Sequence, residues 1–132
     1  MSNQVALVTG ASRGISKAIL HALGTQGFDV VGTATTTAGA QGIDAALKQA
    51  NLSGKGMQLD VTQPDSVSAL LKEIKESYAP PAVLVNNAGI TRDNLLVRMK
   101  DEEWDAVINT NLSSVYRLTR ACLRDMMKMR SG

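Results

Sequence analysis

The stretch Val5-Ala6-Leu7-Val8-Thr9-Gly10-Ala11-Ser12-Arg13-Gly14-Ile15-Ser16 decides how the rest of this 132-residue chain is read. It opens with four apolar residues, the length and make-up of a strand buried on both faces. From Ile15 the apolar positions fall at Ile15, Ala18, Ile19, Ala22 and Leu23, the three-and-four spacing of one helical face. Between strand and helix lie Gly10 and Gly14, with Ser12 available as a helix cap. Such a turn presents backbone N–H groups at a positive helix end, a place that suits a phosphate. Glycine matters there because a Cβ would hold the backbone away from a pyrophosphate. A tight strand-to-helix turn that binds nothing is the plain alternative. The context favours a ligand, because a second strand, predicted at Phe28–Thr33, follows at the distance of a βαβ unit.

Composition narrows the class. An apolar fraction of 44% fits a globular chain of one domain at most, large enough for a real core. A net charge of +2, with no basic run interleaved with aromatics, gives nucleic-acid binding little support. The single cysteine, Cys122, excludes an internal disulfide, and its helical spacing predicts a buried thiol. No apolar run reaches membrane-spanning length, and the N-terminus lacks a basic-then-apolar signal pattern. The expectation is a soluble cytoplasmic protein without a membrane association and without a metal site.

The first helix should stop near Gly24 or Gly27. His21, the only histidine, lies on it off the centre of the apolar face and has no evident catalytic partner. The residues after the second strand bear on the cofactor. An acid there bonds the ribose 2′-OH in NAD-binding folds, whereas NADP-binding folds lack it and supply an arginine. This chain has Gly32-Thr33-Ala34-Thr35-Thr36-Thr37, with no carboxylate. Arg13 is placed to face a 2′-phosphate, which a planar guanidinium suits, so NADPH is preferred to NADH. A solvated turn residue is the other reading of Arg13.

A second helix is expected from about Ala38, with Ile43, Leu47 and Ala50 on one face, ended by the loop Asn51–Gly56. A third strand is expected at Met57–Val61. Asp60-Val61 would then end it where open α/β sheets gather ligand contacts, although Asp60 could equally be a capping or turn carboxylate. A third helix runs from Pro64 to Tyr78, with Val67, Leu70, Leu71, Ile74 and Tyr78 as its buried stripe, and Pro80-Pro81 stops it. The fourth strand, Ala82–Val85, leads into Asn86-Asn87-Ala88-Gly89. After a loop over Ile90–Lys100, one long helix carries the stripe Trp104, Val107, Ile108, Leu112, Val115, Leu118, Thr119, Cys122 and Met126, with Asn111 on it. A buried amide of that kind is held by a network or by function.

Thr9-Gly10-x-x-x-Gly14 together with Asn86-Asn87-Ala88-Gly89 resembles the short-chain dehydrogenase/reductase family. Asn87-Ala88-Gly89-Ile90-Thr91-Arg92-Asp93-Asn94-Leu95-Leu96 and Asn109-Thr110-Asn111-Leu112-Ser113-Ser114 narrow the resemblance to the β-ketoacyl-[acyl-carrier-protein] reductases of fatty-acid synthesis. It runs from Val5 to Gly132 and covers only the N-terminal half of that family. The resemblance implies an NADP-binding Rossmann fold, a doubly wound α/β parallel sheet truncated here to its first four strands in the order 3-2-1-4, with residues 1–132 as half of one domain. It implies NADP(H) contacts from Gly10, Ala11, Ser12, Arg13, Gly14 and Ile15, with Thr35 as a second 2′-phosphate contact. It also implies Asp60 and Val61 beside the adenine, and Asn87, Ala88 and Gly89 at the adenosine ribose. Asn111 corresponds to an asparagine that bends its helix and supports a water leading to the catalytic lysine. Arg124, Lys128 and Arg130 end the last helix; their bland role is to complement the helix dipole. By resemblance they dock an acidic acyl carrier protein, with Arg130 the best match.

Two departures matter. The family's catalytic serine and its Tyr-x-x-x-Lys pair are missing, since Tyr78 is followed four residues on by Ala82 and Tyr116 by Arg120. The chain as given is therefore expected to be inactive. Ser16 stands where the family has a third glycine, and weaker cofactor binding is expected from it. The open edge of the fourth strand and the long helix predict a homo-oligomer. A non-catalytic nucleotide-binding module and an interaction protein of the same fold are the alternative readings.

Overall fold

The computed structural model describes residues 3–89 and 95–132. Four parallel strands form one sheet: β1 Val5–Val8, β2 Asp29–Ala34, β3 Gly54–Gln58 and β4 Pro81–Val85, in the spatial order β3-β2-β1-β4. Helices α1 Gly14–Thr25, α2 Thr37–Gln49 and α3 Pro64–Ser77 alternate with them. Then α4, Asp101–Ile108, runs through a π turn, Asn109–Ser113, into α5, Ser114–Met129. This is the four-strand part of a Rossmann-type sheet, in the strand order that the sequence predicts.

The central strand is buried throughout, and its alternation splits the core in two. Val5 and Leu7 join Val31, Leu59, Leu70, Ile74, Leu118 and Cys122 under α3 and α5. Ala6 and Val8 join Val30, Leu20, Ile43 and Leu47 under α1 and α2. Helices on both faces follow from this near-continuous apolar strand, because neither face can be left to water. Burial, followed by the nearby Asp125 carboxylate, pushes the Cys122 thiol up to about 11, so it is an inert core group at neutral pH.

Several elements sit differently from their sequence reading. The buried side of α1 carries Ser16 and Leu20, with Ile19 and Leu23 packed against the core, while Ile15 is 78% exposed. The face is rotated because the helix starts at Gly14 with Arg13 as its N-cap, and no side chain, Ser12 included, caps it. Strand β3 begins three residues earlier than expected and ends at Gln58, so Asp60 and Val61 lie past it. The glycines of Asn51–Gly56 read as a turn, yet Gly54–Gly56 is strand. A Cβ on Gly56 would run into the Ala40 carbonyl of α2, so glycine here allows close approach of helix and strand. The expected loop partly coincides with a turn centred on Asn51, whose φ is +56°. Ala50 is exposed.

The single long helix is also revised. The π turn inserts a residue, and the Asn109 carbonyl accepts from both the amide and the hydroxyl of Ser114. The stripe therefore does not run on: Ser114, Leu118 and Cys122 are buried, whereas Trp104, Leu112, Val115 and Asn111 are exposed. Of the expected loop, Leu96–Arg98 forms a 3-10 turn, and residues 90–94 lie outside the described residues.

Replacing Gly56 by alanine should lower stability by about 1–3 kcal/mol, the scale of overpacking. Urea unfolding of the variant checks this; an unchanged midpoint would mean that α2 moves off the sheet without cost.

Candidate nucleotide-binding site

Thr9 closes the end of β1 and ties it to the end of β4. Its amide and its hydroxyl both donate to the Val85 carbonyl, at 3.1 and 3.4 Å. The hydroxyl oxygen accepts from the amides of Asn87 and Ala88, each at 3.0 Å. On the other side Thr33, at the end of β2, accepts from Gly10 N through its hydroxyl and from Ala11 N through its carbonyl. The chain after Gly10 is thus held between the two neighbouring strands of β1.

Gly10 and Gly14 have φ of +62° and +70°, the left-handed region that favours glycine. A Cβ on Gly10 would press on Ala88 Cα at 3.1 Å, while one on Gly14 would meet nothing within 4 Å. The first glycine lets two segments approach, and the second lets the chain turn into α1. Helix geometry leaves the amides of Gly14, Ile15 and Ser16 without intrahelical partners. No carboxylate occupies the first turn of α1, so the positive helix end is not neutralised from within it.

A cavity of about 480 Å³ opens at this turn, lined on one side by Gly10, Ser12, Arg13 and Ile15 and on the other by Thr35 and Asn87–Gly89. The structure thus brings together eight of the predicted cofactor residues. Ala11 is buried behind the turn at 1% exposure, and Gly14 turns the chain without lining the cavity. Asp60 and Val61 do not line it: the Asp60 carboxylate accepts from the amide and hydroxyl of Thr62, the turn-carboxylate arrangement. Asn111 is not among the lining residues either. Its amide oxygen stands 2.9 Å from where a Cβ on Gly89 would be, so the π turn and the end of β4 meet there.

The sequence reading missed Ser16, Ala34, Thr36 and Gly39 as lining residues. Thr36 caps α2, accepting from Gly39 N at 3.0 Å, and a cap followed by small residues was the available signal. The lining chemistry fits a dinucleotide phosphate: open amides, one guanidinium and hydroxyls, with no carboxylate among them.

A larger groove, about 750 Å³, lies between α3 and α5. Lys72, Lys75, Arg117, Arg120, Arg124 and Lys128 line it against only Glu76 and Asp125. Lys75 pairs with Asp125 at 2.8 Å. The three-and-four spacing of the basic residues along α5 is the sequence signal for this cationic row. Arg130 sits just beyond it, in a left-handed conformation that ends the helix. Among the described residues no helix is long and apolar enough to cross a membrane, and no group of three or more acidic, histidine or cysteine side chains could hold a metal ion.

A turn of this kind at the carboxyl end of a parallel sheet marks a Rossmann-type α/β protein. The short chain dehydrogenase family model matches residues 4–132, and the chain belongs to that family. It is 54% identical over all 132 residues to the 3-oxoacyl-[acyl-carrier-protein] reductase FabG of Pseudomonas aeruginosa, and 54% identical to the protein of that name from Vibrio cholerae. With the Escherichia coli K12 reductase of the same name it shares 54% identity over 129 residues, 98% of this chain. The chain spans about half the length of these relatives, 52–53% of each.

Replacing Thr9 by valine removes the acceptor of two amides at nearly constant shape. Stability should fall by about 1–3 kcal/mol, the cost of buried unpaired polar groups. Urea unfolding measures it, and a loss below a few tenths would show that the β1–β4 tie is dispensable.

Proposed function

We propose that this chain is the cofactor-binding part of an NADPH-dependent 3-oxoacyl-[acyl-carrier-protein] reductase, with residues 1–132 as the N-terminal half of one NADP-binding domain. The observation that carries the reading is the cavity joining the glycine turn, Arg13, Thr35 and Asn87–Gly89. The identity to reductases of that name supports the substrate class.

In this reading the amides from Ser12 to Ile15 hold a diphosphate, backed by the small buried Ala11. Arg13 and Thr35 meet the 2′-phosphate, and the missing acid at the end of β2 leaves no charge to repel it. Asn87, Ala88 and Gly89 take the ribose, and the adenine end extends past the cavity lining toward the chain after β3, where Asp60 and Val61 stand. The nicotinamide cofactor, when bound, supplies a hydride to the substrate ketone. This chain's contribution at that step is the supporting Asn111. An acid at the carbonyl oxygen is also required, and neither Tyr78 nor Tyr116 has a lysine four residues on. These 132 residues alone are therefore inactive.

The acyl carrier protein is the proposed partner, docking at Arg130. The cationic row of α5 extending from Arg124 and Lys128 favours an acidic partner on the same side. Homo-oligomerisation is proposed as well, because Trp104, Leu112, Tyr116 and Met127 are each more than half exposed along α4, the π turn and α5. A cytoplasmic location is proposed with this reading, in keeping with the carrier-protein reductases that the chain resembles.

Fluorescence titration with NADPH and NADH tests the cofactor reading. Saturable NADPH binding, with NADH roughly tenfold or more weaker, is expected, and Arg13→Ala should remove most of that preference, as the loss of a charge-assisted bond would. Binding of neither nucleotide would overturn the reading. NADPH oxidation with a β-ketoacyl substrate should stay at background, and turnover would refute the assignment of inactivity.

A further inference from the structure

Ser16 is among the few buried polar side chains, 2% exposed, and it stands in the first turn of α1 facing the nucleotide cavity. The sequence predicts that its hydroxyl harms the site. The geometry gives that hydroxyl a different task. Ser16 Oγ donates to the Gly10 carbonyl at 2.5 Å and to the Arg13 carbonyl at 3.0 Å, one proton shared between two acceptors. The Arg13 contact is a local bond of the kind serine makes within helices. The Gly10 contact is not. It spans six residues and closes the whole glycine turn onto the helix that follows.

The other side-chain donor to the Gly10 carbonyl is Asn87 Nδ2, at a longer 3.4 Å. Alanine or glycine at position 16 would leave that weaker bond alone to hold the carbonyl. Both carbonyls bonded by Ser16 thus have their negative ends engaged by a hydroxyl of α1. Of the amides between them, that of Ala11 is held by the Thr33 carbonyl, so the turn is fastened on both sides. The same bonds fix the backbone of Arg13, and thereby the base from which its guanidinium reaches.

We propose that Ser16 is a positioning residue of this pocket: its hydroxyl latches the glycine turn in the phosphate-receiving conformation before any nucleotide arrives. The proposal rests on the cofactor reading above. A turn ordered in advance loses less entropy on binding, so the latch should appear as affinity. Because it anchors Arg13, it should also appear as selectivity for the 2′-phosphate.

The test compares the full chain with Ser16→Ala, Ser16→Gly and Ser16→Thr. Ser16→Ala keeps the Cβ and removes only the hydroxyl, while Ser16→Thr keeps the hydroxyl. NADPH affinity should fall about fivefold to tenfold in the alanine and glycine variants, the worth of one buried hydrogen bond. The ratio of NADPH to NADH affinity should fall with it, and threonine should restore both. A mere loss of fold stability would weaken both nucleotides alike and leave the ratio unchanged, which would overturn the proposal. Equal affinity of Ser16→Ala and the parent chain would also overturn it. Amide hydrogen exchange at Ala11–Ile15, without nucleotide, gives a readout independent of the cofactor. Loss of protection in Ser16→Ala, restored in Ser16→Thr, supports the latch, and unchanged protection refutes it. If the parent chain bound neither nucleotide, the cofactor reading would fall while the exchange data still decided whether Ser16 fastens the turn.

Discussion

The Thr9 hydroxyl is where the fold becomes a site. A parallel sheet delivers strand ends side by side, but it does not by itself fix the chains that leave them. Thr9 bonds Val85, Asn87 and Ala88 at once, so the end of β4 is clamped to the end of β1 just before Gly10. Thr33 does the same for the end of β2. Three strands therefore present their departing loops to one cavity with their positions set by buried hydrogen bonds. An unpaired polar group in that place would be costly, so the arrangement is strongly favoured over alternatives.

Polarity at the cavity follows from what was left out. No acid closes β2, none sits in the first turn of α1, and Asp60 is occupied with Thr62. The helix end and Arg13 thus present positive potential, and no carboxylate among the described residues lining the cavity cancels it. The opposite situation holds at α4, where Asp101, Glu102 and Glu103 fill the first turn and no comparable anion site could form. The first turn of α2 is also free of acids, so it is the glycine turn before α1, together with Arg13, that sets this helix end apart.

The sheet order and the glycine turn were legible because each rests on local, unambiguous signals: short apolar runs, helical spacing and glycines at a βαβ distance. What the sequence hid were effects of one element on another. Gly54 and Gly56 look like turn residues, and only the closeness of Val30 on β2 to the one and of α2 to the other reveals them as strand glycines. Asp60 was left balanced between a ligand role and a turn role, and its bonds to Thr62 show the turn geometry. Ser16 looked like a defect because the pattern it breaks concerns space at one position. Its value lies in a carbonyl six residues away, and periodicity carries no information about that.

Asn111 shows the same limit more sharply. In an unbroken α-helix it would share a stripe with Leu118 and Cys122 and be buried. The π turn widens the helix by one residue there and rotates the amide out of the core toward Gly89. Such turns are uncommon and recur at functional sites, because they sacrifice regular hydrogen bonding to re-aim a side chain. The irregularity is stabilised locally: Ser114 bonds the Asn109 carbonyl, and Arg117 donates to the Asn109 side chain at 3.1 Å. Gly89 completes the device by offering no Cβ to the approaching amide. The bend in α4–α5 and the glycine after β4 are therefore one solution to one problem, the delivery of a polar side chain to the end of an apolar sheet.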